Sequence, residues 1–270
     1  MATIETSSGG TIYYEEHGEG EPLLCVMGLA TDTLGWALQV PTFSQSHRTV
    51  IFDNRDVGQS SMADGQYEVS DMARDALDLA DALGLETFHL LGVSMGGAIA
   101  QEVALAAPER IRTLTLTVTF ARGGAWGQLL SKTWSARVRD APRERHVDEL
   151  LLLNLSEELF EDPAKVEFAR SLMLQNPNPQ DPEAFARQLD ASSRHDALGR
   201  LPSLSMPVHV IGGERDILVP VWKSKEIAEL IPGAKLTVLE NAPHGLNFER
   251  AQEYNELVLG FLAEHEPATV

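Results

Sequence analysis

The stretch Gly92-Val93-Ser94-Met95-Gly96-Gly97 fits the pattern Gly-x-Ser-x-Gly, and the segments on either side of it give that pattern its meaning. The apolar run 88–91 before it has the length of a buried strand, and the run 97–107 after it has helical character. A serine on so tight a strand-to-helix turn exposes its hydroxyl, and the turn needs small residues two positions away on each side. The following helix directs its first amides to the same point, which suits a developing oxyanion. A glycine-rich turn without chemistry is the alternative, but this context favours Ser94 as a nucleophile.

Two polar residues that could serve such a nucleophile follow late apolar runs. Asp216 comes shortly after the run 208–211, and His244 shortly after the run 236–239. Ligands of open parallel sheets bind outside the carboxyl ends of the strands, and all three residues fall at such ends. A serine nucleophile needs a base, and the base needs an orienting acid. The chain order Ser, Asp, His predicts a triad of Ser94, Asp216 and His244.

Short apolar runs alternate with helical patterns along most of the chain. A run of this length is typical of a strand, and strands that alternate with helices favour a mostly parallel sheet with both faces covered, an α/β class. The predicted strands are 11–15, 23–27, 49–52, 88–91, 114–118, 208–211 and 236–239, and the clearest helices outside the middle of the chain are 70–83, 97–107 and 251–262.

The segment 121–200 interrupts this alternation. It has no strand-like run, and its helical patterns at 129–138, 147–155, 164–174 and 183–192 are punctuated by prolines. Its net charge is −2 out of −19 for the whole chain. We predict a helical insertion at 121–200 in a core domain made of 1–120 and 201–270. A solvated acidic surface without any partner is the simpler explanation for the uneven charge.

The composition excludes several classes of protein. A net charge of −19 repels phosphate backbones and argues against nucleic-acid binding, and the single cysteine, Cys25, cannot form an intrachain disulfide. We predict no metal, no cofactor, no secretory signal and no transmembrane span, and hence a cytoplasmic location. The histidines at 89 and 209 lie in strands and are expected in the core, whereas those at 17, 47, 146, 195 and 265 are expected to be solvated.

In these motifs the chain resembles an α/β-hydrolase. The resemblance is to the small, cap-bearing subgroup that includes carboxylesterases, enol-lactonases, carbon–carbon bond hydrolases and cofactor-free haloperoxidases. The segment 52–60 is similar to the loop Asp-x-Arg-Gly-x-Gly-x-Ser of that family, with Asp56 where the family usually has glycine. Ala107-Pro108-Glu109-Arg110-Ile111 resembles the segment that leads into the next strand. The resemblance implies an eight-stranded, mostly parallel sheet flanked by helices. It also implies that 121–200 is a cap over the pocket.

The same resemblance implies an oxyanion hole made of the backbone N–H groups of Leu29 and Met95. The family often has His-Gly after the early strand, where this chain has Met27-Gly28-Leu29, but main-chain donors do not depend on that histidine. For some of the pocket residues, packing between cap and core is the alternative role. The residues expected to line the substrate pocket are Met27, Gly28, Phe120, Trp126, Trp134, Leu218 and Leu246.

A serine at the turn favours acyl transfer to water, because relatives that act as dehalogenases or epoxide hydrolases carry aspartate there. We expect a carboxylesterase that cleaves small, mainly apolar esters through an acyl-enzyme. Hydrolysis of lactones or enol-lactones, and haloperoxidase-type perhydrolysis, use the same triad and remain open. A non-catalytic protein of the same fold would be expected to have a broken triad. The expected partner is a small-molecule ester or lactone, and a homo-oligomer is left open.

Overall fold

The structure, a computed structural model, describes residues 2–265. Within that range the strands form one sheet of eight, in the order β1-β2-β4-β3-β5-β6-β7-β8. The pairs β1–β2 and β2–β4 are antiparallel, and the other neighbours are parallel. The strands are β1 Ala2–Glu5, β2 Thr11–His17, β3 Glu21–Val26, β4 His47–Phe52, β5 Phe88–Val93, β6 Ile111–Thr117, β7 Val208–Gly213 and β8 Lys235–Leu239.

The helices follow the strands on both faces, apart from a continuous helical stretch between β6 and β7. No helix within the described residues is long and apolar enough to cross a bilayer. The α-helices are α1 Val40–Phe43, α2 Val69–Ala82, α3 Met95–Ala106, α4 Gly124–Asp140, α5 Arg143–Asn154, α6 Glu157–Phe160, α7 Pro163–Leu174, α8 Pro182–Arg194, α9 Trp222–Leu230, α10 Leu246–Glu249 and α11 Ala251–Ala263.

The parallel strands are buried on both faces, which explains their continuous apolar runs. Along β3, Leu24 and Val26 join one apolar cluster, whereas Leu23 and Cys25 join another. Successive side chains of a strand point to opposite faces, so the two clusters are the two layers between sheet and helices. The seven predicted strands and the mostly parallel α/β class are confirmed.

The strand β1 was not predicted from the sequence. Its residues alternate between half-buried and exposed and it pairs only with β2 at the edge of the sheet, so it has no apolar run. The end of α2, by contrast, is set by one residue, Gly84. Gly84 has φ +66°, and the amides of Gly84 and Leu85 donate to the carbonyls of Asp81 and Ala80. This is the Schellman arrangement that glycine permits after a helix.

Candidate active site

Ser94 occupies a strained turn between β5 and α3. Its φ of +56° lies in the left-handed region, where residues other than glycine are uncommon. The Ser94 amide donates to the Thr117 carbonyl at 2.9 Å, and the Thr119 hydroxyl donates to the Ser94 carbonyl at 2.6 Å. A Cβ at Gly92 would overlap the carbonyl oxygen of Gly96, so the turn excludes side chains there. The neighbouring strand β6 and the small residues together hold Ser94 in this conformation.

Ser94, His244 and Asp216 form one hydrogen-bonded chain. The Nε2 of His244 lies 2.9 Å from the Oγ of Ser94, and its Nδ1 lies 2.7 Å from Oδ2 of Asp216. The other carboxylate oxygen of Asp216 accepts the amides of Leu218 and Val219, at 2.9 and 2.7 Å. The side chains of His244 and Asp216 are 5% and 0% exposed, so water competes little for these bonds. The structure therefore brings together the three residues that the sequence proposed as a triad.

The turns after β7 and β8 are packed against each other, and this packing sets the position of His244. A Cβ at Gly213 would lie 2.6 Å from the carbonyl oxygens of both Ala242 and Pro243. The Arg215 amide also donates to the Ala242 carbonyl, at 2.9 Å. Only glycine allows the loop that carries His244 to approach the end of β7 so closely.

The loop after β3 passes directly against Ser94. A Cβ at Gly28 would lie 3.0 Å from Cβ of Ser94 and 3.1 Å from the Val93 carbonyl oxygen. In the part of the chain that the structure describes, the amides of Leu29 and Met95 have no hydrogen-bond acceptor. Both belong to segments that adjoin Ser94, and free amides beside a nucleophile are what an oxyanion hole requires.

The carboxylates of the loop 53–60 have structural partners. Asp53 is 1% exposed, and its two oxygens accept the amides of Thr33 and Gln59 at 2.7 and 2.8 Å. Burial raises the pKa of Asp53 to about 6, although these two hydrogen bonds oppose the shift. Within the described residues, no group of three or more His, Cys, Asp or Glu side chains is arranged to hold a metal ion.

An apolar cluster connects the helical stretch with the loops around the triad. Trp134 and Phe185 are 5% and 1% exposed, and their rings meet edge to face with centroids 5.1 Å apart. Leu29 and Leu218, which adjoin the triad loops, pack against this cluster. Of the expected pocket residues, the structure places Trp134 and Leu218 in this cluster. Phe185 belongs to it as well, and no pattern in the sequence distinguishes it from other helix residues.

Four other expected pocket residues lie outside this cluster. Leu246 is 0% exposed and Met27 is 4% exposed, and both pack in the apolar layer that also contains Trp36. Leu246 is thus an enclosed core side chain in this structure, and its contact with substrate stays a prediction. Trp126 is 54% exposed at the start of α4 and is outside the Trp134 cluster. Phe120 packs against the opposite layer, with Lys223 Nζ 5.6 Å from its ring centre.

The sequence profile of the family described as alpha/beta hydrolase fold matches residues 21–251, which is most of the chain. The chain belongs to the α/β-hydrolase family. The match covers β3 to the start of α11 and includes Ser94, Asp216 and His244. As a member of this family, the chain is a hydrolase.

Relatives whose names indicate different activities resemble this α/β-hydrolase at similar levels of sequence identity. A protein of Azorhizobium caulinodans, provisionally named carbamate hydrolase RutD, is 29% identical over 258 residues, covering 94% of this chain and 95% of the relative. A protein of Mycobacterium tuberculosis, provisionally named non-heme bromoperoxidase BpoC, is 28% identical over 256 residues, covering 93% and 97%. The crystal structure of the enol-lactonase from Burkholderia xenovorans LB400 superposes with a TM-score of 0.86 at 26% identity, covering 97% and 100%.

Proposed function

We propose that this α/β-hydrolase cleaves carboxylic esters of small, mainly apolar substrates through an acyl-enzyme formed on Ser94. The observation that carries the proposal is the hydrogen-bonded chain from Ser94 Oγ through His244 to Asp216, with distances of 2.9 and 2.7 Å. A nucleophile, a base within reach of it and an acid that orients the base are the parts that covalent acyl transfer needs.

In this proposal the hydroxyl oxygen of Ser94 attacks the carbonyl carbon while its proton passes to Nε2 of His244. The carbonyl electron pair moves to the oxygen, which the amides of Leu29 and Met95 then stabilise. Collapse of this intermediate breaks the bond to the alcohol, which leaves with the proton from Nε2. A water molecule, deprotonated by the same nitrogen, releases the acid and restores Ser94. Asp216 holds Nδ1 protonated and stabilises the imidazolium.

The choice of small, apolar esters rests on the surroundings of the triad. Leu29 and Leu218 adjoin the triad loops, and Trp134 and Phe185 pack against them from the helical stretch. Such side chains favour apolar acyl or alcohol groups over charged ones. We further propose that residues 121–200 act as a cap that sets substrate choice, because Trp134 and Phe185 both come from this segment.

Lactones are the second candidate substrates, since a lactone is a cyclic ester and the structural neighbour from Burkholderia xenovorans is an enol-lactonase. The bond that is broken and the groups that break it would be the same. Perhydrolysis would replace water with hydrogen peroxide at the second step. A panel of p-nitrophenyl esters, lactones and carbamates, assayed with and without peroxide, would separate these activities.

The test of the proposed chemistry is covalent labelling. Incubation with a fluorophosphonate should add one adduct to the intact mass of the wild type, and none to Ser94→Ala. Ester turnover should be lost in Ser94→Ala and should fall by about 10⁴ in Asp216→Asn, because that change favours the wrong histidine tautomer. A wild type that is not labelled, or labelling that persists in Ser94→Ala, would contradict the proposal.

A further inference from the structure

We propose that Gln188, on α8, is a positioning residue that holds the loop 27–31 so that the Leu29 amide faces the reacting carbonyl. The inference rests on the proposed function. It starts from one hydrogen bond between distant parts of the chain. The Ala30 amide donates to Oε1 of Gln188 at 3.2 Å. Ala30 follows Leu29 directly, so this bond fixes the peptide next to the proposed oxyanion donor.

Hydrogen bonds to both Oε1 and Nε2 fix the position of the Gln188 side chain. Its Nε2 donates to the Arg55 carbonyl at 2.9 Å, and its Oε1 also accepts from Nε2 of Gln180 at 3.0 Å. The side chain is 0% exposed. The adjacent Arg187 forms an ion pair with Asp56, the residue after Arg55. A buried amide with all these partners has one orientation, so it can impose a conformation on the loop that it contacts.

The loop itself needs such support. Ala30 has φ +60°, in the left-handed region that residues with a Cβ rarely occupy. On the other side of Leu29, the Met27 carbonyl accepts from Nδ2 of Asn54 at 2.9 Å. Asn54 and Gln188 thus hold the backbone on both sides of Leu29. Because the Ala30 amide is used by Gln188, it is not available to an oxyanion, which leaves the Leu29 amide as the adjacent free donor.

The experiment compares Gln188→Met with Gln101→Met. Gln101 is a matched control, since it is also 0% exposed on a helix and its Nε2 donates to a backbone carbonyl, that of Phe120, at 3.1 Å. Gln188→Asn, which shortens the reach by one methylene, replaces the Met variant should that variant not fold. Gln188→Glu keeps an acceptor for the Ala30 amide and loses the donor to Arg55.

The decisive readout is the ratio of kcat/KM for an ester to that for its thionoester. Thiocarbonyl sulfur accepts hydrogen bonds poorly, so the ratio reports the contribution of the oxyanion donors. We expect Gln188→Met to lower kcat on the ester by about tenfold or more, within the cost of losing one donor. KM should stay within about twofold. The ratio should fall in Gln188→Met or Gln188→Asn, should fall less in Gln188→Glu, and should be preserved in Gln101→Met.

A second readout does not depend on turnover. In ¹⁵N spectra of selectively labelled protein, the Ala30 amide of the wild type should exchange slowly with solvent, and Gln188→Met should speed its exchange and shift the Leu29 amide. Unchanged exchange, an unchanged Leu29 signal and a wild-type ratio in Gln188→Met would overturn the inference. If the wild type itself hydrolysed no ester and resisted fluorophosphonate, the proposed function would fail, and the two amide signals alone would decide whether Gln188 positions the loop.

Discussion

Arg187 on α8 and Asp56 in the core form an ion pair with two parallel hydrogen bonds, 2.9 Å from Nε to Oδ2 and 2.7 Å from Nη2 to Oδ1. The Asp56 side chain is fully buried, and it also accepts from the Tyr67 hydroxyl at 2.8 Å. Asp56 has φ +69°, a conformation that suits glycine, the residue usual here in the family that the chain resembles. The ion pair thus provides a reason for aspartate at a strained position, and it anchors α8 beside Gln188.

Arg187→Met should lower the free energy of unfolding by about 3–5 kcal/mol, because it leaves the buried Asp56 carboxylate without its cation. Arg139→Met is the matched control, since Arg139 pairs with Glu183 at the surface, where the side chains are 44% and 58% exposed. Such a surface pair contributes little to stability. Urea unfolding followed by circular dichroism measures the free energy of unfolding of both variants. The double variant Asp56→Gly, Arg187→Met should be more stable than Arg187→Met, and equal losses in the two single variants would contradict this prediction.

Gly28→Ala should reduce kcat by about 10²-fold, because the new methyl group would press on Cβ of Ser94 and displace Oγ, the proposed nucleophile. The rate of fluorophosphonate labelling should fall in parallel, as both reactions need the same placement of Oγ. Gly260→Ala is the control, since nothing lies within 4 Å of a Cβ at that position in α11. It should leave kcat unchanged and stabilise the helix by up to about 1 kcal/mol. Full activity in Gly28→Ala would contradict this prediction and would show that the loop can move to accommodate the methyl group.

Replacing Trp134 should change which esters are preferred, whereas replacing Trp126 should not. Trp134 packs in the cluster that reaches Leu29 and Leu218, and Trp126 is 54% exposed. We expect Trp134→Leu to change the ratio of kcat/KM between long-chain and acetyl p-nitrophenyl esters by about tenfold, the order that one methylene in an apolar pocket can supply. Trp126→Leu serves as the control. The same change in both variants, or in neither, would argue against this role for Trp134.

Glu102 should make stability depend on pH in the acid range. Burial raises the pKa of Glu102, but hydrogen bonds and charge interactions with His195 and Arg200 outweigh that effect and lower it to about 2. A carboxylate with a depressed pKa in the folded state stabilises the protein above its unfolded pKa, near 4.5, and this contribution is lost as the pH falls towards 2. Over the range in which Glu102 itself titrates, the stability advantage of wild type over Glu102→Gln should therefore be greatest near pH 5. It should shrink as the pH falls below 4.5 towards 2. Urea unfolding across this range tests it, and a difference independent of pH would refute the assignment.

Much of the fold could be predicted from the sequence because its signals are local. The apolar runs of the parallel strands, the glycines around Ser94 and the chain order of Ser94, Asp216 and His244 are all visible within short segments. The edge strand β1 gave no such signal, since it buries neither face fully. His195 was expected in solvent, yet it is 5% exposed and lies 3.3 Å from Glu102, so that expectation was wrong.

The sequence by itself determined the parallel sheet and the turn of the proposed nucleophile, because hydrophobic periodicity and glycine placement act within a few residues. Only the tertiary structure decided which polar side chains meet across the molecule. Gln188 contacts Ala30, and Arg187 contacts Asp56. These contacts depend on how the helical segment 121–200 packs against the loops of the sheet. A buried glutamine or arginine has the same one-dimensional pattern as an exposed one, so its partner is set by packing and by the need to satisfy buried polar groups.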